Sequence, residues 1–131
     1  MMQQIKLLDE SLSGNILNEI LVQIESERTT VRDLIQARVY QEVARHNAHL
    51  SEYFTGLVQP TEAEVSLNGY RLKTRRTLDP EQQFYIALEA FQNNGFFILV
   101  DNRQAEQLDE EILLSEDTRI SFVKLTPLVG G

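Results

Sequence analysis

The spacing of apolar residues along this 131-residue chain changes period several times, and each change marks an element. In residues 16–25, "ILNEILVQIE", Ile20, Val22 and Ile24 alternate with Leu21, Gln23 and Glu25. A period of two with one apolar exception is the pattern of a half-buried strand. The preceding run "QQIKLLD" (3–9) reads as a second short strand, and Ser11, Ser13, Gly14 and Asn15 between them supply turn chemistry. The chain is therefore expected to open with a hairpin. From Thr30 the spacing becomes helical: Val31, Leu34, Ile35, Val39 and Val43 form one stripe that packs on the hairpin. Thr30 is the expected cap, with Asp33 as a variant of the capping box.

Between 47 and 79 the pattern is less periodic. "VSLNGYRL" alternates around Asn68-Gly69, a hairpin signal. "LDPEQQFYIALEAFQNNG" then reads as a helix, with Asp79 as N-cap, Pro80 in the first turn and Gly95 as the stop. Its apolar stripe is Phe84, Ala87, Leu88 and Phe91. The continuous run "FFILV" (96–100) predicts a central strand covered on both faces. "DNRQ" is read as a turn, and "LDEEILLSEDT" as an acidic connection with a short apolar island at 112–114. "RISFVKLTPL" is the last strand, in which Ile120, Phe122 and Leu125 alternate imperfectly with Ser121, Val123 and Lys124. Pro127 cannot donate to a ladder, so 127–131 is expected to be a tail beyond the sheet.

Composition narrows this α+β reading to one domain. With 42% hydrophobic and 24% charged residues the chain has the profile of a globular protein. It shows no membrane-length apolar stretch and no secretory signal, so a cytoplasmic setting is expected. The absence of cysteine removes disulfides, thiolate metal sites and thiol nucleophiles. A net charge of −8 repels phosphate and argues against nucleic acid, and the basic cluster "RLKTRR" (71–76) is too short to reverse that. His46 and His49 are read as helix-end capping residues, since no third metal ligand accompanies them. The carboxylates of "LDEEILLSED" are read as a solvated face, and no phosphate-binding loop, dinucleotide loop or catalytic triad is present.

The end of the chain carries the strongest chemical signal. Gly130 and Gly131 follow directly on a strand-like run, where two residues without a Cβ would let a partner's backbone close on the last carbonyl from both sides. "FFILVDNRQAEQLDEEILLSEDTRISFVKLTPLVGG" resembles the closing half of the ubiquitin-like and sulfur-carrier superfamily, and the opening hairpin and helix resemble its first half. The resemblance covers roughly 3–46 and 96–131. It implies a β-grasp fold, a mixed sheet with an N-terminal hairpin and one main helix, here with an inserted helix and hairpin over about 48–94. The strand corresponding to the fold's fourth is not assignable from the sequence.

The resemblance also implies a function: not an enzyme, but the protein substrate of one. A ubiquitin-activating-type enzyme would adenylate the Gly131 carboxylate using ATP, with no cofactor bound by this chain. The acyl group would then pass to target lysines, helped by a conjugating enzyme and reversed by a deconjugating metalloprotease. Alternatively the carboxylate would become a thiocarboxylate for sulfur transfer, which the "TPLVGG" ending resembles; a non-covalent adaptor role is the third reading. Pro127, Leu128 and Val129 are the expected tail-recognition residues. Leu7, Leu21 and Val123 are candidates for a docking surface, because they fall off the core-facing alternation. Lys6, Lys73 and Lys124 are the side-chain acceptors for any self-conjugation.

Overall fold

The computed structural model describes residues 3–49, 53–54, 63–66, 69–72 and 77–124, with side chains for 3–48 and 77–124. The hairpin forms as expected: β1 (Gln3–Glu10) and β2 (Ile16–Ile24) pair antiparallel, with an irregularity at Asp9/Glu10. Gly14 takes φ +90 in the turn, where its amide donates to the Ser11 carbonyl. A short strand not evident in the sequence, β3 (Arg28–Thr30), leads into α1 (Val31–His49). The Thr30 hydroxyl accepts the Asp33 amide at 3.1 Å, which satisfies one of the helix's unpaired first-turn donors. The predicted stripe of α1 is buried in full.

The middle of the chain contributes β4 (Tyr53–Phe54), β5 (Ala63–Ser66) and β6 (Gly69–Leu72), a three-stranded antiparallel sheet in the order β4-β6-β5. The expected hairpin is there in altered register: Gly69 pairs with Ser66 and belongs to a strand, not to the turn. Next comes α2 (Pro80–Gln92), its Asp79 cap accepting the Glu81 amide at 3.0 Å. Asn94, not Gly95, takes the left-handed conformation at its end, with φ 61. Gly95 instead donates to the Ala90 carbonyl at 2.7 Å, and a Cβ there would lie only 3.1 Å from that oxygen.

The last third folds into β7 (Phe96–Val100), β8 (Arg103–Ala105), β9 (Glu111–Leu113) and β10 (Ile120–Lys124). Asp101 and Asn102 form the two-residue turn of the β7–β8 hairpin at φ 50 and 68, so the fourth principal strand occupies part of the stretch read as a turn. The acidic connection holds a strand too: β9 pairs with β3, its Ile112 buried and Leu113 exposed.

The main sheet has the order β2-β1-β10-β7-β8, with β1 and β10 parallel and every other pair antiparallel. Both helices contribute to one core with its inner residues: Leu34, Ile35 and Val39 from α1, and Phe84, Leu88 and Phe91 from α2. The helix inside the supposed insertion is therefore part of the principal core, not an appendage. β7 is an interior strand as expected, yet it is not covered on both faces: Phe96, Ile98 and Val100 are buried, while Phe97 and Leu99 are half-buried. No helix among the described residues is long and apolar enough to cross a membrane.

Candidate functional site

β10 is the central strand and the last described element, and its Val123 lies against Glu10 at the end of β1. Register places Leu7 against Ile120 and Asp9 against Phe122, on the face toward the helices. Three of these four side chains are apolar, and the fourth is a carboxylate in the core.

That carboxylate is held by Arg38 of α1, a fully buried side chain. The Arg38 guanidinium grips Asp9 with both terminal nitrogens, one contact measuring 2.7 Å from Nη2 to Oδ2. It also lies 3.6 Å from Glu42, one helical turn further on, and its carbon sits 4.6 Å from the centre of the Phe122 ring. Burial alone works against the Arg38 charge, but Glu42 and Asp9 outweigh it and raise its pKa. Lys124, the last described residue, belongs to the same group. Burial lowers the pKa of its amine, Glu42 and Asp9 oppose that, and Arg38 adds to the lowering. Two cations and two carboxylates thus form a set of balanced formal charge beneath the last described residues of β10. The sequence offered a signal for it in Asp9, an acidic residue in phase with Ile5 and Leu7, and in Arg38 on the buried side of α1.

The opposite face of the sheet is mixed, with Leu8, Leu21, Phe97, Leu99 and Val123 set among Lys6, Glu10, Glu19, Gln23 and Ser121. Leu8 pairs with Ser121 and Val123 with Phe97, on the side away from the helices. Of the three residues expected at a docking surface, Leu21 lies on this face at 49% exposure. Val123 also lies on it but is only 7% exposed. Leu7 does not: it is fully buried against the helices, because the inward phase of β1 is Ile5-Leu7-Asp9. The sequence reading missed this because both Leu7 and Leu8 are apolar and alternation alone cannot tell which points inward. Leu8, not Leu7, is the β1 leucine of the outer face.

Pro127, Leu128, Val129, Gly130 and Gly131 lie outside the described residues, as do Leu125 and Lys73. Of the other lysines, Lys6 is exposed on the outer face, with its amine 4.0 Å from Glu19. Lys124 is half-buried. His46 is buried on the core side of α1, which corrects its reading as a capping residue at the helix end. The side chain of His49 is outside the described set. Among the described residues no group of three or more His, Cys, Asp or Glu is placed to hold a metal ion. Asp109, Glu111, Glu116 and Asp117 are exposed, as a solvated face requires. No family model, curated protein or solved structure gives a significant match to the chain.

Proposed function

We propose that this chain is a ubiquitin-like protein of β-grasp fold and that the Gly131 carboxylate is its working group. In this reading the carboxylate attacks the α-phosphate of ATP on a partner enzyme, releasing pyrophosphate and forming an acyl adenylate. A thiolate of that enzyme displaces AMP, and a target lysine amine then displaces the thiol to leave an amide. The chain binds no cofactor and catalyses none of these steps. Gly131 carries the acyl group whether it ends the translated chain or is exposed by cleavage after it.

The observation that supports this most is the order and direction of the main sheet. A hairpin, a helix and a central last strand parallel to the first are the arrangement expected of a β-grasp. Seven residues follow Lys124 in the sequence, enough to reach at most about 25 Å when extended. That span suits a tail that threads an active-site channel while the folded body stays outside it. Attachment to lysines is favoured because α2 and the three-stranded sheet add recognition surface to the basic fold.

The test is incubation with an activating enzyme, ATP and magnesium, read by pyrophosphate release and intact mass. A thioester with the enzyme, lost when one residue is added after Gly131, is the expected result. Conversion of the carboxylate to a thiocarboxylate would assign sulfur transfer instead. Conjugates digested with trypsin should carry "LTPLVGG" on target lysines, since Lys124 is the last basic residue before the glycines. Full cellular activity in a Gly130→Ala/Gly131→Ala variant would exclude both and leave the adaptor reading.

A further inference from the structure

The main sheet has two edges, and they are built differently. β8, at one side, is three residues long and presents Arg103 and Gln104 to solvent. β2, at the other, is nine residues long, with no lysine, proline or glycine and with Glu19 as its only charged residue. Among the described residues, no hydrogen bond satisfies the β2 backbone groups that face away from β1. Folded proteins usually blunt such an edge with a short strand, lysine, proline or a bulge. β2 has one of these devices: its pairing with β1 passes from Asn18 to Ile16 and skips Leu17. Beyond that irregularity, residues 18–24 keep an unbroken register with β1 and leave their other side open.

A row of open backbone donors and acceptors is satisfied by another extended strand, and this one is complementary to itself. An antiparallel copy of residues 18–24, turned about a two-fold axis at Leu21, pairs along the whole of that stretch. Leu21, 49% exposed, then meets Leu21 of the second copy, where each covers the other. Glu19 falls opposite Gln23 and Ile20 opposite Val22, polar on one face and apolar on the other. An axis at Glu19 would set that carboxylate against itself. An axis at Ile20 would set it against Leu21 and run the pairing into the irregularity at Leu17. Lys6 lies across from Leu21 and 4.0 Å from Glu19, so the contact is locally balanced although each copy carries −8.

We infer that β2 pairs antiparallel with β2 of a second copy of this chain, joining two five-stranded sheets into one continuous sheet about an axis at Leu21. The contact is closed, because each β2 edge is used once and the short β8 strands are the edges that remain. A single strand pair is small beside the roughly 1,200 Å² of a stable complex, so the dimer is reversible and its population rises with concentration. Two chains of net charge −8 repel at long range, so added salt strengthens the association. The inference is independent of the chemistry at Gly131.

The test uses the full chain, in which an introduced cysteine has no competitor. Sedimentation velocity should show a monomer–dimer equilibrium without larger species, shifted toward dimer by salt. Alternate amides within 18–24 should exchange more slowly as concentration rises. Leu21→Lys places two cations at the axis from an exposed position, and should weaken the dimer about tenfold with the urea midpoint of the dilute protein unaltered. Under mild oxidation Leu21→Cys should link to its own copy, since paired strands hold opposite Cα atoms about 4.5–5.5 Å apart, within disulfide reach. Glu19→Cys and Gln23→Cys should not self-link but should link to each other when mixed. A monomer at every concentration and salt, or association unaltered by Leu21→Lys, overturns the inference. Self-linking of Glu19→Cys as fast as that of Leu21→Cys overturns the axis, and dimerisation without amide protection overturns the strand pairing.

Discussion

Arg38 is the residue on which the core's polar balance turns. Buried ion pairs rarely add much stability over well-packed apolar groups, but removing one partner leaves a charge without compensation. Arg38→Met should therefore cost about 3–5 kcal/mol in urea unfolding, because Asp9 stays buried. Adding Asp9→Leu should recover most of that loss, since Glu42 and Lys124 then remain as a balanced pair. A double variant as unstable as the single one would show that the guanidinium acts through packing on Phe122 instead. Lys124 gives the group a pH signature. Its amine has a lowered pKa in the folded protein, so between that value and its ordinary 10.5 the unfolded chain binds more protons. Lys124 thus makes stability rise with pH across this alkaline window, and its contribution is unfavourable below it. Comparison of urea midpoints for the parent and Lys124→Met should show the relative gain of the parent as pH approaches 10.5.

At the scale of elements, what the sequence disclosed and what it hid follow from the range of the forces involved. The opening hairpin, α1 and α2 were legible because each carries its own local signal: Gly14 in the turn, Thr30 and Asp79 as caps, and a period matched to its structure. β3 and β9 were hidden because they are three residues long and exist through each other, with Thr29 facing Ile112 across 83 positions of sequence. The same contact region serves α1, whose first amides, Val31 and Arg32, donate to the carbonyls of Glu110 and Leu108. β8 was hidden for a different reason. Its hairpin turn is Asp101-Asn102, without glycine, although both residues adopt positive φ. Asp101 offsets part of that strain by accepting the Arg119 amide at 2.9 Å. Asn102→Gly should stabilise the protein by about 0.5–1 kcal/mol, whereas Asn102→Val should cost more than 1 kcal/mol, as read by thermal unfolding. No shift in melting temperature with valine would mean that this turn is not held in the left-handed region. The candidate site divides in the same way. The glycine pair is visible in the sequence, but the charged group beneath β10 joins Asp9, Arg38, Glu42 and Lys124 from three elements and needs the fold to bring it together.

At the scale of the whole molecule, the sheet separates two faces, and β1 shows the division within adjacent residues. Leu7 points to the helices and is fully buried, while Leu8 points to the other side. The outer side keeps Leu21 at 49% exposure and Phe97 and Leu99 half-buried, next to the exposed Lys6. Leu21 is an exposed apolar side chain of this face, opposite Lys6 and between Glu19 and Gln23. If partners use it, stability and transfer should separate by face. Leu7→Ala removes core contacts and should cost about 2–5 kcal/mol. Leu21→Asp changes only exposed surface and should stay within about 0.5 kcal/mol of the parent. If the proposed function holds, the same Leu21→Asp protein should nevertheless be transferred more slowly from an activating enzyme, with adenylate formation at Gly131 unaltered. Single-turnover assays of the two steps check this directly. Equal rates for Leu21→Asp and the parent in both steps would remove the outer face from the transfer reaction and leave the tail as the sole recognition element.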